Sequence, residues 1–116
     1  MKFMFLIYSS AAAEAKRKPA DRNAIFAAYM AYGKALTAAK AYVDGAPLQG
    51  AAAARTVQVR KGKTAKRAGP AYDTKEYLGG YYIIEAASMA EAQNWAAQCP
   101  GAQHGSVEVR PLMSMG

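Results

Sequence analysis

The chain holds a single cysteine, Cys99, and a single histidine, His104. One cysteine closes no internal disulfide, which excludes a disulfide-stapled scaffold and leads us to expect a reduced, cytoplasmic setting. One cysteine and one histidine form no ligand cluster, which excludes a zinc finger or a His-rich metal site. Long apolar runs are lacking too. The opening "MKFMFLIYSS" is too short to span a bilayer, and no long h-region or small-residue cleavage site follows it, so it reads as a buried strand. P-loop, nucleophile-elbow and dinucleotide fingerprints are missing, so any chemistry is expected to be cofactor-free. Acidic residues are missing from one long stretch, Asp44 to Asp73.

At 116 residues, 53% hydrophobic and 20% charged, the sequence fits one compact domain over 1–116. Its net charge of +7 belongs to one segment. Arg55, Arg60, Lys61, Lys63, Lys66 and Arg67 fill the acid-free stretch, while the remaining basic and acidic residues nearly balance. Such a segment suits an anionic partner, or a solvated hairpin whose lysines protect an edge. No aromatic lies between Tyr42 and Tyr72, so bases would find no stacking platform there, and specific nucleic-acid binding is not expected.

Residues Lys2 to Tyr8 read as a strand apolar on both faces. The connection that follows is Ala-rich, with Pro19 barring a continuous helix and Asp21 as the N-cap of the next element. From Arg22 to about Lys40, Ile25, Tyr29, Tyr32 and Leu36 recur at helical steps. "RTVQVRKGKTAKRAG" predicts a β-hairpin turning at Lys61-Gly62. Leu78 to Glu85 is a second apolar strand, with Gly79-Gly80 marking a bulge or a close approach. Ser88 caps a helix reaching Cys99 and ending at Pro100-Gly101, and "SVEVRPL" alternates as a last strand.

This order predicts an α+β fold, a ferredoxin-like βαββαβ plan enlarged by a hairpin. Two helices cover one sheet face only. Because two strands are apolar on both faces, the other face is expected to meet a second copy of the chain, giving a homodimer packed through its sheets.

The strings "MKFMFLIY", "DGAPLQ", "AGPAYDTKEYLGGYYII" and "WAAQCPGAQHGSVEVRP" resemble the YCII-related proteins, and more narrowly the DGPF branch, from Met1 to Met113. The resemblance implies ferredoxin-like subunits paired as a dimeric α/β barrel, an architecture shared with muconolactone isomerases and small cofactor-free monooxygenases. Many branch members are encoded beside alternative sigma factors. The His-Asp pair of the wider family has no counterpart here, since no histidine precedes His104. The Asp-Gly-Pro-Phe motif survives only as Ala68-Gly69-Pro70-Ala71.

Six residues are candidates for a ligand site. Asp73, Lys75 and Glu76 stand beside the Gly-Pro bend, either as the rim of a cleft or as a plain strand connection. Glu108 and Arg110 share the strand face opposite the helices, where Arg110 could grip a carboxylate or the two could form an interfacial salt bridge. His104 is placed in a loop, and its imidazole is a candidate for proton transfer. Catalytic residues are not assigned. The expected activity is that of a cofactor-free enzyme or binder for an anionic organic acid, in a cleft between sheet and dimer partner. The alternative is a non-catalytic regulatory or interaction protein, linked through the family to alternative sigma factors. No membrane association is expected.

Overall fold

A computed structural model describes residues 1–114. Strand β1 (Lys2–Ser10) leads into a one-turn helix α1 (Ala11–Ala15) and the long helix α2 (Pro19–Ala38). Strand β2 (Tyr42–Pro47), a 3₁₀ turn at Ala51–Ala53 and the hairpin strands β3 (Arg55–Arg60) and β4 (Lys63–Ala68) follow. Strand β5 (Glu76–Glu85), helix α3 (Met89–Gln98), the short helix α4 (Gly101–His104) and strand β6 (Ser106–Pro111) complete the chain.

Four strands form an antiparallel sheet in the order β2-β5-β1-β6, and β3-β4 form a separate two-stranded sheet. The fold is thus mixed α/β with antiparallel sheets. Pairing of Phe3 with Ile84, Phe5 with Tyr82 and Phe5 with Val109 sets one apolar face towards the helices. Phe3, Phe5, Ile84, Leu36 and Cys99 are wholly buried there, among the small side chains of Ala41, Ala86, Ala92 and Ala96. Burying each of the large ones is worth roughly 1.5–3 kcal/mol. Alternation sends Met4, Leu6, Tyr81 and Ile83 to the opposite face, where no helix lies and all four are half-buried.

Helix starts and stops follow local chemistry. Pro19 does not merely bar a helix: it opens α2, where its missing N–H is not needed. Asp21 is not the N-cap as expected but the third helical residue. Its Oδ2 accepts from the backbone N–H of the true N-cap, Lys18, at 2.9 Å, the reciprocal half of a capping box. The preceding Ala-rich stretch, read as a connection, folds into α1 because the Ser10 hydroxyl accepts from the Ala13 N–H. Ser88 caps α3 in the same way, as expected, through the Glu91 N–H. The hairpin turns at Lys61 and Gly62, both at positive φ, as the two-residue loop requires.

The molecule is a slab, 47 × 46 × 18 Å, with a radius of gyration of 16.1 Å. A compact chain of this length has a radius near ~13 Å. Two features account for the excess. The hairpin is exposed along nearly its whole length, and α2 buries only Tyr32 and Leu36.

Candidate functional site

That shallow seating of α2 leaves a cavity of about 950 Å³ between one flank of the helix, from Arg22 to Ala38, and the sheet at β2 and β5. Apolar walls come from Ile7 of β1, Ile25, Phe26 and Met30 of α2, and Tyr42 and Tyr82 of β2 and β5. Phe26 and Met30, one helical turn apart, are 68% and 52% exposed, so the cavity is unfilled by the chain's own side chains. A smaller groove of about 760 Å³ runs along the other flank of α2, where Ala24, Ala28, Ala31 and Ala35 line it. Those alanines leave that flank of α2 without long side chains to fill the groove.

The floor is set by close backbone approaches. A Cβ on Gly45 would lie 2.7 Å from Cδ1 of Tyr82, so only glycine lets that ring cover β2. A Cβ on Gly101 would meet Ile7 Cγ2 at 2.6 Å and the Tyr29 hydroxyl at 2.8 Å. Tyr82 stacks edge-on against both Tyr32 and Tyr42, with centroids 5.5 and 6.4 Å apart. Burial pushes the Tyr82 phenol up to about 12 and raises Tyr29 and Tyr32 further, so all three stay neutral hydrogen-bonding groups at ordinary pH. Burial also raises the Cys99 thiol, which leaves it protonated and unreactive.

One end of the cavity is polar. Ser9, Glu14, Arg17, Arg22 and His104 gather where α1 meets α2. The Ser9 hydroxyl donates to Glu14 Oε1 at 2.6 Å, and Arg17 Nη1 lies 3.9 Å from the same oxygen. Arg22 Nη1 donates to the Arg17 carbonyl at 3.3 Å, which holds its guanidinium beside the opening. Lys34 adds a further positive charge along the wall. With one carboxylate against three cationic side chains, this lining suits an apolar molecule bearing an anionic group.

Of the six residues singled out in the sequence, only His104 lines this cavity, on the last turn of α4 rather than in a loop. Glu108 and Arg110 do share the sheet face opposite the helices, where they are joined by a short ion pair between Glu108 Oε2 and Arg110 Nε. Asp73 and Glu76 brace their own segment: Asp73 Oδ1 accepts from the Tyr77 hydroxyl at 2.8 Å, which raises that phenol's pKa. Glu76 Oε1 accepts from the Ser106 hydroxyl at 3.3 Å, tying β5 to β6. Lys75 is exposed at the start of β5. What lines the cavity from this string is its second half, Gly79 to Tyr82. Here the register shifts between Ile7 and Tyr8, placing Gly79 at a bulge, and a Cβ on Gly80 would lie 3.1 Å from the Ala46 carbonyl. Sequence reasoning missed Arg17, Arg22 and Phe26. The available signal was the second apolar pair, Phe26 and Met30, offset by one residue from Ile25 and Tyr29.

Among the described residues no group of three or more His, Cys, Asp or Glu side chains could hold a metal ion. No helix among them is long and apolar enough to cross a membrane.

An antiparallel sheet covered on one face by helices, with a cavity under the longer one, defines the class of the molecule by its architecture. The profile of the YCII-related domain matches residues 1–116, and the chain belongs to that family. An uncharacterised protein of Rhizobium meliloti (strain 1021) is 44% identical over 62 residues, covering 52% of this chain and 50% of that protein. The match therefore spans about half the length of that relative. Among solved structures, the 5-chloro-2-hydroxyhydroquinone dehydrochlorinase of Burkholderia phenoliruptrix, in complex with 2,5-dihydroxybenzoquinone, superposes with a TM-score of 0.56. It is 22% identical, over 97% of this chain and 94% of that one, which is a likeness of fold.

Proposed function

We propose that this YCII-related protein is a small-molecule enzyme or binder whose ligand is an anionic organic acid seated between α2 and the sheet, with no cofactor. One observation carries the reading: a cavity of about 950 Å³ with aromatic and aliphatic walls, the cations Arg17 and Arg22 beside His104 at one end, and Lys34 along the wall. Its volume suits a drug-sized organic molecule, since such pockets run to roughly 300–1,000 Å³. The structural neighbour is itself in complex with a small cyclic molecule, 2,5-dihydroxybenzoquinone.

The proposal includes the assembly. The strand order β2-β5-β1-β6 matches a ferredoxin-like plan, and the uncovered face carrying Met4, Leu6, Tyr81 and Ile83 supports pairing through the sheets as a dimeric α/β barrel. The Glu108–Arg110 pair then belongs to the interface. The surviving Gly69-Pro70 bend, with Gly69 at φ +96°, favours the DGPF-type branch. The buried, protonated Cys99 fits a reduced, cytoplasmic setting.

A library of aromatic and aliphatic carboxylic acids, screened by thermal shift, tests the proposal. Hits should bind Arg22→Ala about tenfold or more weakly, because a charge-assisted contact is worth roughly 1.5–3 kcal/mol. They should bind Arg110→Ala as they bind the native chain. Absence of hits, or equal binding by Arg22→Ala, contradicts the reading. A second reading, a non-catalytic interaction protein, is favoured by the free-standing basic hairpin.

A further inference from the structure

Among the described residues the β3-β4 hairpin pairs with no other strand and buries no side chain. Both strands are exposed throughout except at Thr56, which is half-buried, and the two form a sheet of their own. A lone two-stranded ribbon is marginally stable in water and gains from a third strand or a packed face. The ribbon joins the body at its base, where Gly69 N–H donates to the Ala54 carbonyl and the Thr56 hydroxyl to the Gly69 carbonyl, each at 2.8 Å. Arg67 stiffens the base by donating to the carbonyls of Pro70 and Ala71.

Three properties of the ribbon coincide. Both of its edges are unpaired strands, the pattern used when a peptide adds to a sheet. Val57 and Val59, on one face, are each 57% exposed. Arg55, Arg60, Lys61, Lys63, Lys66 and Arg67 give six positive charges with no acidic residue between Asp44 and Asp73. Pairing with the same ribbon of a second copy would set these cations against one another. Nucleic acid would use the charge but neither the valines nor the open edges, and the ribbon has no aromatic on which a base could stack.

Deepening the second reading above, we infer that the hairpin is a docking ribbon for an extended, acidic segment of another protein, which adds as a third strand. The partner strand alternates apolar and acidic residues. Its apolar side chains cover Val57 and Val59, and its carboxylates, on the opposite face, meet Arg60 and Lys63. This surface is separate from the α2 cavity, so occupancy of one does not require the other.

The test uses the full chain and three probes: a short capped peptide alternating Glu and Val, its Lys-Val counterpart, and a short DNA duplex. Binding is read by fluorescence anisotropy at low and physiological salt, and the docked strand by amide hydrogen exchange along β3 and β4. The expected result is binding of the Glu-Val peptide, weakened by salt, with new protection of edge amides. The Lys-Val peptide should bind about tenfold or more weakly, since like charges repel at an interface. The charge-reversed variant Arg60→Glu/Lys63→Glu should lose the Glu-Val peptide while keeping the native thermal midpoint. Equal binding of both peptides, or peptide binding without edge protection, overturns the inference. Tighter binding of DNA than of the Glu-Val peptide overturns it while preserving an interaction role. Edge amides already protected in the free protein would show a second copy on the ribbon and overturn it as well. Binding of none of the probes removes both the inference and the interaction reading.

Discussion

The Tyr32 hydroxyl donates a 2.6 Å hydrogen bond to the main-chain carbonyl of Trp95, joining the middle of α2 to α3. The two rings also meet edge-on, 6.3 Å between centroids. Because α2 buries only Tyr32 and Leu36, this contact and the Leu36 side chain are the helix's principal anchors.

Tyr32→Phe keeps the ring and removes the bond. The Trp95 carbonyl loses its partner in a partly buried position, at a cost of about 1–3 kcal/mol. Chemical denaturation should show a lower midpoint with an unchanged slope. An unchanged midpoint would mean that water replaces the hydroxyl and that the anchor lies elsewhere.

Gly101→Ala tests the cavity floor. The added methyl group would meet Ile7 and the Tyr29 hydroxyl at under 3 Å, so α4 or Tyr29 must shift. Overpacking of this kind costs about 1–3 kcal/mol. Thermal melts should register the loss, and ligands held near Tyr29 should bind more weakly.

Alkaline stability follows from the tyrosines. Burial raises the Tyr82 phenol from 10.0 to about 12, with Tyr29 and Tyr32 shifted in the same direction. Between these values the unfolded chain has lost protons that the folded chain retains, so the Tyr82 contribution is complete below pH 10 and is lost as pH rises towards 12. Tyr82→Phe should flatten that fall, as read from thermal midpoints across the alkaline range. An equally steep fall would assign the effect to the other two phenols.

Much of this fold was legible because period and chemistry agreed. The Val107/Glu108/Val109/Arg110 alternation placed each residue on its observed face, and Ser88 capped the helix that it was expected to cap. The cavity was not legible. It lies along the flank of α2 that carries Phe26 and Met30, over the close glycine contacts at Gly45 and Gly101. None of these residues carries chemistry that would draw attention in a sequence. Arg17 was hidden for another reason: the run from Ala11 to Lys18 reads as a connection, and the α1 turn capped by Ser10 carries it to the cavity.

Assembly is tested by the uncovered sheet face. Light scattering should return about twice the 12.3 kDa chain mass for the native protein. Ile83→Glu, which puts a charge among Met4, Leu6 and Tyr81, should yield monomer with its circular dichroism retained. A native monomer, or an Ile83→Glu dimer, would remove sheet-to-sheet pairing.

The location of the ligand is the central claim, and amide chemical-shift mapping addresses it directly. A ¹⁵N-labelled chain titrated with a carboxylic-acid hit should show its largest shifts at Arg22, Phe26, Gly33, Gly45 and Gly80, around the α2 cavity. Leu6, Ile83, Glu108 and Arg110, on the opposite sheet face, should stay in place. Shifts concentrated at Glu108 and Arg110, with Phe26 and Gly33 unmoved, would contradict the account and put the site on the uncovered face.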